Sequence, residues 1–202
     1  MMNNNDMTYP SLMISSTNKG KINEFKRFFY DLPLEVKTPP SLLKINEDGK
    51  TFVENARIKA IETAKLTNTF CLADDSGLCI EALGGLPGVG SARYAKSDAE
   101  RVDRVLEEMS GHKNRNAYFI AAICISSPSG GVFLEVEAQC EGLIAFSARG
   151  LNGFGYDPIF EVAQTGLTFA EMDIEQKRKF GHRGKAFELL KPLIKEKISS
   201  FY

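Results

Sequence analysis

Cysteine is scarce in this chain and poorly placed for metal or redox work. Cys71, Cys79, Cys124 and Cys140 lie in apolar or strand-like runs, and none belongs to a C-x-x-C pair. A zinc site therefore has little support, and buried thiols in a reducing cytoplasm are the expectation. No apolar run approaches the roughly 20 residues that span a bilayer, so no membrane partner is expected. The opening Met1-Met2-Asn3-Asn4-Asn5-Asp6 has neither the basic nor the apolar region of a signal peptide, and residues 1–10 read as a frayed tail. Basic excess is absent too: 25 Lys and Arg face 26 Asp and Glu, for a net charge of -1. Nothing there would neutralise a nucleic-acid backbone, which argues against a general nucleic-acid binder but not against a single nucleotide as substrate. Also missing are a Ser-His-Asp order, a glycine elbow around a serine, a Walker loop and a strand-to-helix G-x-G-x-x-G.

What is present is ordinary in bulk. The chain has 202 residues, 43% hydrophobic and 25% charged. That suits one substantial domain, or two lobes around a cleft. The most informative stretch is Ala73-Asp74-Asp75-Ser76-Gly77, after the apolar Phe70-Cys71-Leu72. Read as a strand that ends before a turn at Gly77, it holds two adjacent carboxylates in different directions. Clustered aspartates suit Mg²⁺, which prefers carboxylate and phosphate oxygens. A polar turn with Asp caps would use the same residues.

Three more polar clusters alternate with apolar elements. Ser11-Leu12-Met13-Ile14-Ser15 reads as a strand, and Ile22, Phe25, Phe28 and Phe29 follow at helical spacing. The loop between them, Ser16-Thr17-Asn18-Lys19-Gly20-Lys21, would present backbone N–H groups and lysines at a helix N-terminus, where an anion is favoured. It also fits a simple helix cap. Residues 33–40, with Pro33, Pro39 and Pro40, read as a linker. Thr51-Phe52-Val53-Glu54 is a capping box that assigns Glu54 to the helix start, while Glu47 in the preceding loop is free to ligate metal. That helix runs to about Lys65, and Ser97-Asp98-Ala99-Glu100 starts another that ends near Gly111. Residues 84–90 are too glycine-rich for a regular element. Residues 117–126 and 132–141 predict an antiparallel hairpin, the second strand alternating apolar and polar side chains. Gly153-Phe154-Gly155-Tyr156-Asp157-Pro158 sets two aromatics among glycines, suited either to stacking on a flat ring or to packing inward. Glu175-Gln176-Lys177-Arg178-Lys179 and Gly181-His182-Arg183 precede a terminal amphipathic helix. A basic run at a helix start opposes the macrodipole unless an anion sits nearby. Together these parts fit metal-assisted attack of water on a nucleoside triphosphate, with a carboxylate taking the proton.

The chain resembles the inosine triphosphate pyrophosphatase family. The motifs that carry this are Ser16-Thr17-Asn18-Lys19-Gly20-Lys21, Thr51-Phe52-Val53-Glu54-Asn55-Ala56, Ala73-Asp74-Asp75-Ser76-Gly77-Leu78, Gly84-Gly85-Leu86-Pro87-Gly88, Ser91-Ala92-Arg93-Tyr94, Gly153-Phe154-Gly155-Tyr156-Asp157-Pro158, Phe169-Ala170-Glu171-Met172 and His182-Arg183-Gly184. They occur in the family's order over nearly the whole chain. The resemblance implies one elongated α/β domain over residues 1–202, with a central mixed sheet, flanking helices, two lobes around a substrate cleft, and a homodimer. It implies hydrolysis of ITP, dITP and XTP to the monophosphate and pyrophosphate. By the same carry-over Asp75 is general base and Mg²⁺ ligand, Glu47 the second ligand and Asp74 a supporting one. Ser16, Thr17, Asn18, Lys19, Gly20, Lys21 and Ser76 would hold substrate, and Phe154 would stack on the purine within the Gly155-Tyr156 loop. Asp157, Lys177, His182 and Arg183 would complete the base and phosphate contacts. Gly181 departs from the family's usual Ser before His-Arg, and the segment after Tyr94 is shorter than in many members. Two other readings are a septum-formation-type pyrophosphatase for modified nucleotides and a catalytically silent purine-nucleotide sensor.

Overall fold

The computed structural model describes residues 9–39 and 45–201. Along the chain come β1 (Ser11–Ile14), α1 (Lys19–Phe28), β2 (Glu35–Lys37), α2 (Phe52–Thr67), β3 (Phe70–Ile80), α3 (Asp98–Glu108), β4 (Asn116–Ser126), β5 (Val132–Ile144), β6 (Phe160–Val162), α4 (Ile174–Phe180) and α5 (His182–Glu196). The strands form one mixed sheet in the order β2-β1-β3-β4-β5-β6. β1 runs parallel to β2 and β3, and the remaining pairs are antiparallel. This is the mixed α/β sheet with flanking helices that the family resemblance implies. Of the expected tail, residues 1–8 lie outside the described residues, as does Pro40. Pro10 is already tied in, its carbonyl accepting from Glu35 N at 2.9 Å.

Local chemistry accounts for most boundaries. Thr51 Oγ1 accepts from Glu54 N, and Glu54 Oε2 accepts from Thr51 N, both at 3.1 Å, so Glu54 is a cap. Ser97 Oγ accepts from Glu100 N at 3.2 Å, but the Glu100 carboxylate reaches Lys96 N instead of closing the box. In β5, Leu134, Cys140 and Ile144 are buried while Glu137, Gln139 and Glu141 face water, as the alternation requires. The four cysteines are buried and unpaired. Burial pushes the Cys71 and Cys124 thiols up to about 12, which leaves them inert at neutral pH.

Three expectations need correction. β3 does not end before Gly77; it continues to Ile80, paired with β4 from Cys71 to Ile80. Gly77 lies inside the strand because a Cβ there would come within 2.5 Å of Gly88 O and Ser91 Oγ. The glycine serves a close approach, not a turn. The proline linker contains β2, a short edge strand on β1. The basic run does not start a helix: Lys177, Arg178 and Lys179 fill the last turn of α4, where the macrodipole favours cations. Only His182 and Arg183 open α5, whose N-cap Gly181 supplies no side-chain bond.

The sheet is covered on both faces. Leu72 packs in a cluster with Phe25 and Phe28 of α1 and Phe187 and Leu190 of α5. Ala73, one residue on, packs with Ala56 and Ala60 of α2 and Ala122 of β4. Side chains alternate along a strand, so Asp74 continues the first face and Asp75 the second.

Candidate active site

Asp75 sits under α2. Its Oδ2 accepts from Asn55 Nδ2 at 3.2 Å and its Oδ1 from Lys59 Nζ at 3.1 Å. Lys59 also donates to Glu47 Oε2 at 3.0 Å. Asn55 Oδ1 accepts from Gly49 N at 2.9 Å, which ties the Glu47 loop to the same helix. Burial pushes the Asp75 carboxyl above the ordinary carboxylate range, against the pull of Lys59 and Lys21. Burial alone would lower Lys59, but Asp75, Glu47 and Asp74 outweigh it and keep it an ammonium.

Glu47 and Asp75 are thus two hard-oxygen donors that already share one cation, the Lys59 ammonium. That donor set fits Mg²⁺. No cluster of three or more His, Cys, Asp or Glu exists among the described residues. A metal here would complete its shell with water and phosphate oxygens, as Mg²⁺ does. Asp74 points away from Glu47 and takes no part in this pair.

Asp74 sits on the opposite face, buried beneath α1 and α5. Its Oδ2 meets Lys21 Nζ at 2.7 Å, Ser76 Oγ at 3.0 Å and Arg183 Nε at 3.2 Å. Burial would raise this carboxyl, yet Lys21 and Arg183 hold it well below the usual range. Lys21 itself is lowered by burial, in spite of Asp74, with Arg183 and Lys59 adding to the effect. Asn18 caps α1, its Oδ1 accepting from Lys21 N at 3.1 Å, and Ser16 Oγ accepts from Asn18 N at 3.2 Å. Thr17 and Lys19 are exposed at this end of the cleft. Gly20 has no room for a side chain, because a Cβ would overlap the Phe154 ring. The loop expected to hold phosphate and the ring expected to stack on a base therefore touch.

The 153–158 loop is pinned from behind. Asp157 Oδ2 accepts from Phe154 N at 2.8 Å and from Lys177 Nζ at 2.6 Å. Burial pushes Asp157 upward, against Lys177. Gly153 takes φ +78, and a Cβ there would run into the Asp157 carboxylate. Phe154 is half-buried, with Lys177 Nζ 4.5 Å from its ring centre. It divides two cavities: one shared with Lys21, Ser76, His182 and Arg183, the other, of about 430 Å³, with Asn152, Met172 and Ile174. Tyr156 is buried and donates its hydroxyl to Ser91 O at 2.8 Å, so it offers a ligand only its ring and backbone. His182 stacks on Phe119, ring centres 4.6 Å apart at 10°, and both ring nitrogens are without a partner. Burial, then Arg183, holds this imidazole well below its ordinary value, so it is neutral at pH 7. A Cβ at Gly184 would overlap the Arg178 carbonyl, so this glycine lets α5 start close against α4.

The structure brings Asn18, Lys21, Ser76, the 154–157 loop, His182 and Arg183 to one cavity, while Glu47 and Asp75 meet at Lys59 under α2, on the other face of the sheet from Asp74. It adds three the sequence reading did not single out: Lys59, Asn55 and Glu24. Glu24 accepts from Lys177 at 3.0 Å and from Arg183 at 3.1 Å. The signal for the first two was polarity on a buried stripe, since Asn55 and Lys59 recur four apart beside Ala56 and Ala60.

An α/β sheet with a lysine-neutralised carboxylate on one strand, a cationic helix start and an aromatic wall defines a site for a phosphorylated ligand with a flat ring. The comparisons agree on the family. Residues 12–193 match the family model of the Ham1 family, and the chain belongs to that family. The dITP/XTP pyrophosphatase of Prochlorococcus marinus strain MIT 9313 is 56% identical over 195 residues, covering 96% of each chain. A HAM1 protein from Coxiella burnetii superposes with a TM-score of 0.85 at 40% identity, over 93% of this chain and 99% of that one. The Ham1 protein of Staphylococcus aureus gives 0.82 at 38%, over 93% and 99%.

Proposed function

We propose that this protein hydrolyses dITP, ITP and XTP to the monophosphate and pyrophosphate, which keeps deaminated purines out of nucleic acids. The observation that carries this is Asp75, a buried carboxylate with raised proton affinity, held by Asn55 and Lys59 and lying within the field of Lys21. The printed activity of relatives about half identical over nearly the full chain supports it. Neither the septum-formation reading nor the silent sensor finds support there.

In this reading Lys21 and the α1 N-terminus neutralise phosphate oxygens. Asp75 takes the proton of the attacking water. The water oxygen bonds to the α-phosphorus as the bridge to the β-phosphorus breaks, and pyrophosphate leaves. Glu47 and Asp75 would hold Mg²⁺, which supplies charge neutralisation on the phosphates and lowers the pKa of bound water. The base would stack on Phe154. His182 and Arg183 line the cavity, and the unpartnered ring of His182 would supply the donor to a 6-oxo group, since Arg183 is bonded to Asp74, Glu24 and Ser76. Against adenine such a donor loses its partner, at a cost of roughly 1–3 kcal/mol.

Mg²⁺ dependence, a homodimer, a cytoplasmic setting and a single domain over the whole chain belong to the same proposal. Phe146 and Leu151 are exposed apolar side chains, and no helix among the described residues is long and apolar enough to cross a membrane. The test is pyrophosphate release from dITP, XTP, dATP and dGTP, with Mg²⁺ and with EDTA. Mg²⁺-dependent release from the first two is expected. Orthophosphate release, or equal rates on all four, would overturn the reading.

A further inference from the structure

Among the described residues, only three carry buried side-chain nitrogen or oxygen atoms without a partner: Asp74, His182 and Arg101. Arg101 belongs to no motif considered so far. It lies in α3, lines the same cavity as Phe154 and His182, and its side chain is 16% exposed. Two of its three guanidinium nitrogens are committed. Nη1 donates to Ala92 O at 2.6 Å, and Nη2 donates to Asp98 Oδ1. The second oxygen of Asp98 accepts from Gly155 N at 2.7 Å, one residue beyond Phe154. The guanidinium plane is thereby locked between the 88–93 segment and the stacking loop, and Nε–H is left as a buried, fixed, cationic donor without a partner, on a side chain that lines the cavity.

We propose that Arg101 is a specificity-determining residue that reads the substituent on C2 of the purine. This rests on the functional reading above and extends it to the distinction that a 6-oxo contact cannot make. Hypoxanthine, xanthine and guanine share the 6-oxo group and differ at C2, which carries hydrogen, a carbonyl oxygen and an amino group respectively; xanthine differs also at N3, which carries a proton or a charge that the other two lack. A fixed N–H donor gains a hydrogen bond from the xanthine carbonyl. It is indifferent to the C–H of hypoxanthine. Against guanine it sets donor against donor, and the amino group gives up water with no acceptor in return. The order at this contact is xanthine over hypoxanthine over guanine. Because Nη1 and Nη2 are tied down, the side chain cannot turn an acceptor toward guanine; it has none to turn.

The test compares kcat/KM for XTP, ITP and GTP in the wild type, Arg101→Met and Arg101→Gln. Calorimetric binding of XMP, IMP and GMP gives a readout that does not depend on turnover. Arg101→Met keeps the length and removes the donor, and the XTP-to-ITP ratio is expected to fall about tenfold, the size of one lost hydrogen bond to a charged group. Arg101→Gln supplies a carbonyl oxygen, and GTP use is expected to rise about tenfold relative to ITP. If Arg101→Met fails to fold, Arg101→Gln carries the test alone. Equal changes on all three nucleotides, or no change, would make Arg101 a wall residue and overturn the proposal with the function intact. A wild type that neither turns over ITP nor binds IMP would instead overturn the functional reading itself.

Discussion

Lys59 Nζ lies 3.1 Å from Asp75 Oδ1, reaching from the buried side of α2 to the middle of the sheet. The contact keeps a raised carboxyl ionisable by placing an obligate cation beside it. Asp75→Asn preserves the shape and removes the base. Turnover is expected to drop by about 10²–10⁴, the range for loss of a general base, while nucleotide binding changes little. Single-turnover rates alongside equilibrium binding would check this. A near-normal rate would remove Asp75 from the role.

Phe154 rests on Gly20 and forms the partition between two cavities. Phe154→Ala would remove a stacking surface worth roughly 1–3 kcal/mol per base, so KM for XTP should rise at least several-fold with kcat less affected. An unchanged KM would mean that the ring serves only to cover Gly20 and Lys177.

Asp74 plays the opposite part to its neighbour. Its side chain is 1% exposed and faces Lys21 and Arg183. Asp74→Asn would leave two largely buried cations with Glu24 as the remaining counter-charge, and breaking a buried ion pair costs about 3–5 kcal/mol. Urea unfolding should show a lower midpoint with an unchanged slope. A loss of activity with full stability would show instead that Asp74 serves the chemistry directly.

The differing roles of Asp74 and Asp75 follow from the period-two geometry of a strand, and that much was legible in the residues alone. So were the Thr51 capping box and the alternation of β5, because each depends on neighbours within a few positions. The course of β3 was not. Two aspartates, a serine and a glycine are poor strand formers, and the strand holds because both carboxylates are ion-paired and Gly77 admits the Gly88 carbonyl and the Ser91 hydroxyl. Those partners are 11 to 109 residues away in sequence, with Arg183 the farthest. Lys59 escaped notice for a related reason: its spacing from Asn55 beside Ala56 and Ala60 marks it as polar on a buried stripe, but names no partner, and packing sets it between Glu47 and Asp75. The basic segment 177–185 showed its charge plainly, but Gly181 divides it between two helices, and composition gave no sign of that break.

His182 gives the protein a pH dependence of definite sign. Its imidazole is buried against Phe119 and held well below its ordinary value, first by burial and then by Arg183. An unfolded chain would protonate this ring near pH 6.5, while the folded one would not. Between those two values the unfolded state binds the extra proton, so stability falls as pH falls, by up to about 1.4 kcal/mol per pH unit from this one group. Above about pH 6.5 the contribution is fully retained. Asp75 and Asp157, whose carboxyls are raised by burial, act in the opposite sense from about pH 4 upward. They are present in any His182 variant and cancel in a difference. His182→Phe keeps a flat ring against Phe119 and cannot titrate. Melting temperatures from pH 5 to 8 should therefore fall more steeply on acidification in the wild type than in His182→Phe, with the curves running parallel above pH 7. Identical profiles would mean that the folded protein opens enough to let the ring take a proton without cost.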